Sequence, residues 1–189
     1  MTEDIARATI KASVEAQQRL LEGRLAAGIA FAGDRIAACF KADGKLLVFG
    51  NGGSAAIATQ IASVFAGRLT ANRRAVPAIS LSDNASAITA IANDFAFDRI
   101  FSRQVEGLGR TGDIALGIST SGSAANVIDA LKSARKKGLT TIGLTGGTGG
   151  GMVSECNVCL VAPSDEAPRI QECHTLIAHI LCDLVERTL

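Results

Sequence analysis

The chain contains no tryptophan, no tyrosine and only three prolines. Without the two main chromophores its near-ultraviolet absorbance is weak. No apolar run reaches the roughly 20 residues needed to cross a bilayer, so no membrane partner is expected. Residues 1–18 mix charges throughout and lack the apolar core of a secretory signal. The expected location is therefore cytoplasmic. Excess charge of one sign is also missing. The net charge is +1 over 189 residues with no basic stripe, which argues against a nucleic-acid partner held by bulk charge. Disorder is excluded by the balance of 48% hydrophobic to 20% charged residues, which can bury the core of one domain with a helical extension.

A disulfide framework is absent too. Cys39, Cys156, Cys159, Cys173 and Cys182 are odd in number, and they read as free, mostly buried thiols in a reducing compartment. Cys156-x-x-Cys159 is the one spacing that suggests zinc or redox work. No second pair lies nearby. Cys159 falls in an apolar run read as a strand, where alternate side chains point to opposite faces. The pair therefore reads as structural.

What is present has a clear order. Ile5, Ala8, Ile10, Val14, Leu20, Leu21 and Leu25 recur at roughly helical spacing through the first forty residues. A second helix is expected over 31–41, ended by Asp43-Gly44. These helices, residues 1–44, must bury their apolar faces on the following domain or on a partner subunit. From residue 45 the pattern changes. Short apolar runs occupy 45–49, 76–81, 113–118, 140–144 and 157–161. Helical stretches follow the first to about residue 68, the third over 125–137, and the last from about 168 to the C-terminus. Short buried runs alternating with helices predict a doubly wound α/β domain over 45–189, with a five-stranded parallel sheet between helices. Ligands of such sheets sit at the carboxyl ends of the strands.

Two strand-to-helix loops there share one chemistry: Gly50-Asn51-Gly52-Gly53-Ser54 and Ser119-Thr120-Ser121-Gly122-Ser123. Glycine admits close backbone approach, helix N-termini favour anions, and hydroxyls add donors without charge. Neither loop fits a P-loop or G-x-G-x-x-G. A phosphate or sugar site is expected. The alternative is a pair of tight turns with Ser54 and Ser123 as helix N-caps. The glycine cluster 146–151 reads as a flexible turn rather than a ligand loop.

The runs GNGGSAA, SDNASAITAIANDFAF, GISTSGSAANVIDAL and RIQECHTLIAHILCDLVE together resemble the sugar isomerase (SIS) domain family, and within it the phosphoheptose isomerases. The resemblance covers about residues 45–189, and the helical N-terminus is compatible with it. It implies a flavodoxin-like three-layer sandwich and a homotetramer with sites between subunits. The implied reaction converts sedoheptulose 7-phosphate to the aldose heptose 7-phosphate, feeding lipopolysaccharide or other heptose glycans. By motif match, Asn51, Gly52, Gly53 and Ser54 line the sugar site. Asn93 and Asp94 contact substrate, and Ser119, Thr120 and Ser121 hold the phosphate. Gln171 completes the site, and His179 is an acid–base group. The family often carries zinc, for which Gln171 and His179 are the remaining motif positions.

The sequence departs from that pattern in the helix after GNGGS. The family's histidine ligand and its glutamate, ligand and base, fall at Gln60 and Val64, and its aspartate at Ile57. The last serine of the family's hydroxyl loop falls at Ala124. Glu172 is the nearest carboxylate that could stand in as base, although a salt bridge to a neighbouring subunit is its blander role. His174 lies five residues from His179, about 140° around the helix, and reads as a structural histidine. A non-catalytic SIS module that binds a sugar phosphate or acts as an adaptor is the alternative.

Overall fold

Alternation along the strands sets the architecture. In the computed structural model, which describes residues 1–189, five parallel strands form one sheet in the order β2-β1-β3-β4-β5. They are β1 Leu46–Gly50, β2 Ala78–Ser80, β3 Ile114–Ile118, β4 Thr140–Gly146 and β5 Val158–Ala162. β1 pairs with β3 from Leu46↔Ile114 to Gly50↔Ile118. Leu46, Val48, Ile114, Leu116 and Ile118 point into a core of 29 buried residues. Leu47, Phe49 and Ala115 point the other way into a core of 13. Burial on both faces is what continuous apolar strands require, and the predicted three-layer sandwich is present.

The helices are α1 Thr2–Gln18, α2 Leu25–Lys41, α3 Gly53–Ala66, α4 Ala85–Asp94, α5 Ser102–Leu108, α6 Ala125–Lys136 and α7 Ala167–Glu186. α2, α3 and α7 supply the larger core, and α5 and α6 the smaller one. α2 begins at Leu25, not near residue 31, because a short 3₁₀ turn, Arg19–Leu21, replaces part of the expected first helix. The second strand is only three residues long, since it is an edge and Pro77 lies at its start. α4 and α5 answer to no sequence expectation: α4 has no buried residue and α5 spans a bare seven.

The N-terminal helices share the larger core through Ala16, Leu20, Ile29, Ile36 and Phe40. α1 nonetheless leaves Ile5, Ile10 and Val14 at 62%, 64% and 47% exposure. Its apolar stripe is therefore only partly used within the chain. Glu186, at the end of α7, accepts from the backbone N–H groups of Leu69, Thr70 and Ala71 at 2.8 Å. These bonds fasten the segment after α3 to α7. They hold the carboxyl down at about 2, against the opposing effect of burial.

Both C-x-x-C thiols are free, as are the other three cysteines. Their side chains are not separated as strand alternation suggested. Cys156 precedes β5 and follows a 3₁₀ segment, Gly150–Glu155. The chain turns there, and the two thiols meet. The Cys156 S–H favours the thiolate of Cys159, whose pKa is lowered, while that of Cys156 is raised.

Candidate functional site

The strand order reverses at β1 and β3, and both hydroxyl-and-glycine loops leave the sheet there. That is the crevice where open α/β sheets bind ligands. The two loops are joined by a reciprocal amide pair. Asn51 Nδ2 donates to Asn126 Oδ1 at 2.9 Å, and Asn126 Nδ2 donates to Asn51 Oδ1 at 3.0 Å. Asn126 is buried and was not singled out in the sequence. A usable signal existed, since asparagine one position into a helix is a poor helix former unless its amide has work elsewhere.

Neither helix start is capped by a serine. The N-caps of α3 and α6 are Gly52 and Ala124, without side-chain hydrogen bonds. The N-cap reading of Ser54 and Ser123 is therefore corrected: Ser54 is buried within α3, and Ser123 bonds back to Ser121 O at 3.3 Å. An uncapped helix start keeps N–H groups and a positive dipole end for an anion. Ser119 N is pinned to Leu144 O at 3.0 Å, and Gly146 N to Thr120 O at 3.0 Å. Ser121 and Ser123 are exposed.

The glycine cluster is a buttress, not a flexible turn. Met152 N donates to Gly122 O at 3.0 Å. Gly122 has φ +64°, and a Cβ on it would overlap the Gly149 carbonyl. One glycine stretch thus closes directly on the other. Gly53 serves a similar purpose on the first loop, because a Cβ there would sit 2.6 Å from Gln171 Nε2. Gln171 consequently lies on the start of α3.

Between α3 and α7 runs an open groove of about 430 Å³ lined by Gly53, Ile57, Gln60, Gln171, Glu172 and Thr175, among others. Gln60 Nε2 lies 2.9 Å from His179 Nε2. An amide nitrogen only donates, so in this orientation the ring nitrogen accepts and the imidazole proton is on Nδ1. Val64 packs against the larger core. Glu172 Oε1 is bound by Arg169 Nη2 at 2.5 Å, a pair within one helix, and its Oε2 is buried without a partner in the chain. Arg169 also donates to Thr9 O at 2.8 Å. His174 is buried and its Nε2 faces Thr145 O at 3.0 Å, with burial lowering its pKa. The structural reading of that histidine agrees with this placement. Asn93 and Asp94 end α4, exposed and bonded to each other at 2.9 Å, and they line no part of the groove.

The groove's own donors do not fit a zinc ion. Zinc takes cysteine, histidine and carboxylate ligands. Here one imidazole stands with the carboxamides of Gln60 and Gln171, and the one carboxylate lining the groove, Glu172, is held through one oxygen by Arg169. Nor do Gln171 and His179 converge: eight helical residues separate them by about 12 Å, and they contact α3 at its start, Gly53, and at its middle, Gln60.

A family model described as the SIS domain matches residues 10–146. The phosphoheptose isomerase of Roseiflexus sp. (strain RS-1) is 47% identical over 180 residues, which is 95% of this chain and 91% of that protein. Two solved structures share the fold across nearly the whole length. The phosphoheptose isomerase of Neisseria gonorrhoeae superposes with a TM-score of 0.92 at 37% identity, covering 99% of this chain and 100% of the other. That of Francisella tularensis gives 0.95 at 35% identity, with 99% of both chains covered. With the crevice at β1 and β3 and the match running from α1 to α7, the chain belongs to the SIS-domain family and, within it, to the phosphoheptose isomerases.

Proposed function

We propose that this chain interconverts sedoheptulose 7-phosphate and the aldose heptose 7-phosphate, in the cytoplasm, for lipopolysaccharide or another heptose glycan. The observation that carries the reading is the joined pair of loops at the switch point, tied by Asn51 and Asn126, with both helix starts left uncapped. Ser119, Thr120 and Ser121, with the start of α6, take the phosphate. Gly52, Gly53, Ser54 and Gln171 take the sugar end. Asn51 acts by holding the two loops together. Fixing the phosphate orients the far end of the sugar, which lowers the entropic part of the barrier.

The isomerisation moves a proton between adjacent carbons through an enediol, and a positioned acid–base group speeds such a step about 10²–10⁴-fold. His179 is the group assigned here. It is the imidazole beside the groove, and Gln60 fixes its orientation. Glu172 positions α7 through Arg169 and is not assigned the base role. No step is assigned to a metal ion.

The assembly proposed is a homotetramer with sites completed between subunits. Supporting it are the exposed Ile5, Ile10 and Val14 of α1. An apolar groove of about 270 Å³ also lies between the N-terminal helices and α7, lined by Leu20, Leu21, Ile29, Leu176, Ile180 and Leu184 among others. Asn93 and Asp94, exposed on α4, are assigned to a neighbouring subunit's sugar site.

The test is proton NMR of sedoheptulose 7-phosphate with the purified protein in heavy water, with and without zinc. Aldose formation with exchange of the carbon-bound proton is expected without added metal. Line broadening by binding, with no exchange under either condition, would replace the isomerase reading with that of a sugar-phosphate receptor.

A further inference from the structure

Three sulfur side chains converge on the α6 side of β4, away from the α3–α7 groove. Gly143 of β4 is the register partner of Cys159 on the edge strand β5. A Cβ on Gly143 would lie 2.6 Å from Cys156 Sγ, 3.4 Å from Cys159 Sγ and 3.2 Å from the terminal methyl of Met152. The bare glycine therefore leaves the room that the two thiols and the Met152 methyl share. Met152 is fully buried, while both cysteines are half-buried and reachable from the edge. Neither cysteine is in a disulfide. The nearest carboxylate and guanidinium, Glu155 and Arg135, pair with each other at 3.3 Å.

The donor set is soft throughout, and it is small. Two thiolates fall short of the four ligands of a structural zinc site. Thiolates and thioethers select monovalent copper, which is satisfied by two or three such ligands. We propose that Cys156 and Cys159, backed by Met152, bind one monovalent copper ion per chain. Each thiol gives up its proton to solvent on binding, two Cys–S–Cu bonds form, and no electron is transferred.

The test uses the full chain, without air and with ascorbate as reductant, titrated with monovalent copper against the competing chelator bicinchoninate. The absence of tryptophan and tyrosine keeps the chain's own ultraviolet absorbance low, so a thiolate-to-copper band is read in a parallel anaerobic titration without chelator or ascorbate. The expected result is one copper withdrawn from the chelator per chain, with that band, with two protons released, and with both cysteines protected from alkylation. C156S and C159S are each expected to abolish the band, and C39S/C173S/C182S to leave it intact. Circular dichroism of each variant separates loss of the site from loss of the fold. Failure of the wild-type chain to compete with the chelator would overturn the proposal. So would equal copper retention by the folded C156S/C159S double variant.

Discussion

The paired loops at the carboxyl edge of the sheet and the α3–α7 wall beside them are held in different ways. The loops are locked by backbone and amide bonds: Asn51 to Asn126, Ser119 to Leu144, Gly146 to Thr120 and Met152 to Gly122. The wall rests on side chains. Gln60 meets His179, Gln171 lies on Gly53, and Glu172 is drawn off by Arg169. A phosphate is a fixed shape with fixed charge, and rigid N–H groups suit it. A migrating proton needs a side chain with two protonation states, and one imidazole supplies that. The first region can therefore anchor a ligand whatever the second does with it.

The strongest way to break this contrast is to disturb the loops at Gly122. Alanine there meets the Gly149 carbonyl and a φ of +64°. The combined strain and overpacking cost about 3 kcal/mol. G122A is expected to lower the unfolding free energy by that amount, seen as a lower urea midpoint, and to lose phosphate affinity. The matching change on the wall, Gln60→Ala, is expected to leave both nearly unchanged.

The amide pair comes next. N126A leaves the Asn51 amide without its partner and is expected to cost about 1–2 kcal/mol. Because one pair is removed either way, the N51A/N126A double variant is expected to cost less than the two single changes together. Additive costs in a double-mutant cycle would show that the loops are not tied through these amides.

A pH-dependent effect belongs to the far end of the wall. The carboxyl of Glu186 is held at about 2, below an ordinary 4.5, by the backbone N–H groups after α3. A depressed folded pKa stabilises the charged form, so this contribution is complete above pH 4.5 and fades as pH falls towards 2. Acid titrations of stability are expected to show that slope in the wild-type chain and a flatter one in E186Q. Equal slopes would mean that α7 is fastened by something else.

Much of the anchoring region was legible in the sequence. Short apolar runs ending in glycine and hydroxyl residues announce strand-to-helix loops, because a buried parallel strand and a tight exit leave few other choices. The strand order was not legible, and neither was the Asn51–Asn126 contact across 75 positions. α4 and α5 left no clear trace because their burial is slight or their length short. On the wall, the sequence exposed His179, Gln60 and Val64 only through a resemblance. That Gln60 touches His179, and that Glu172 answers to Arg169 in its own helix, are facts of packing. The thiols misled for a local reason: alternation holds within a strand, and Cys156 lies just outside one.

The most direct test is the steady-state comparison of H179A with the wild-type chain on sedoheptulose 7-phosphate. If the loops anchor and His179 carries the proton, kcat falls about 10²–10⁴-fold while KM stays close to its original value. An unchanged kcat, or a loss confined to KM, would contradict the division of labour between the loops and the wall.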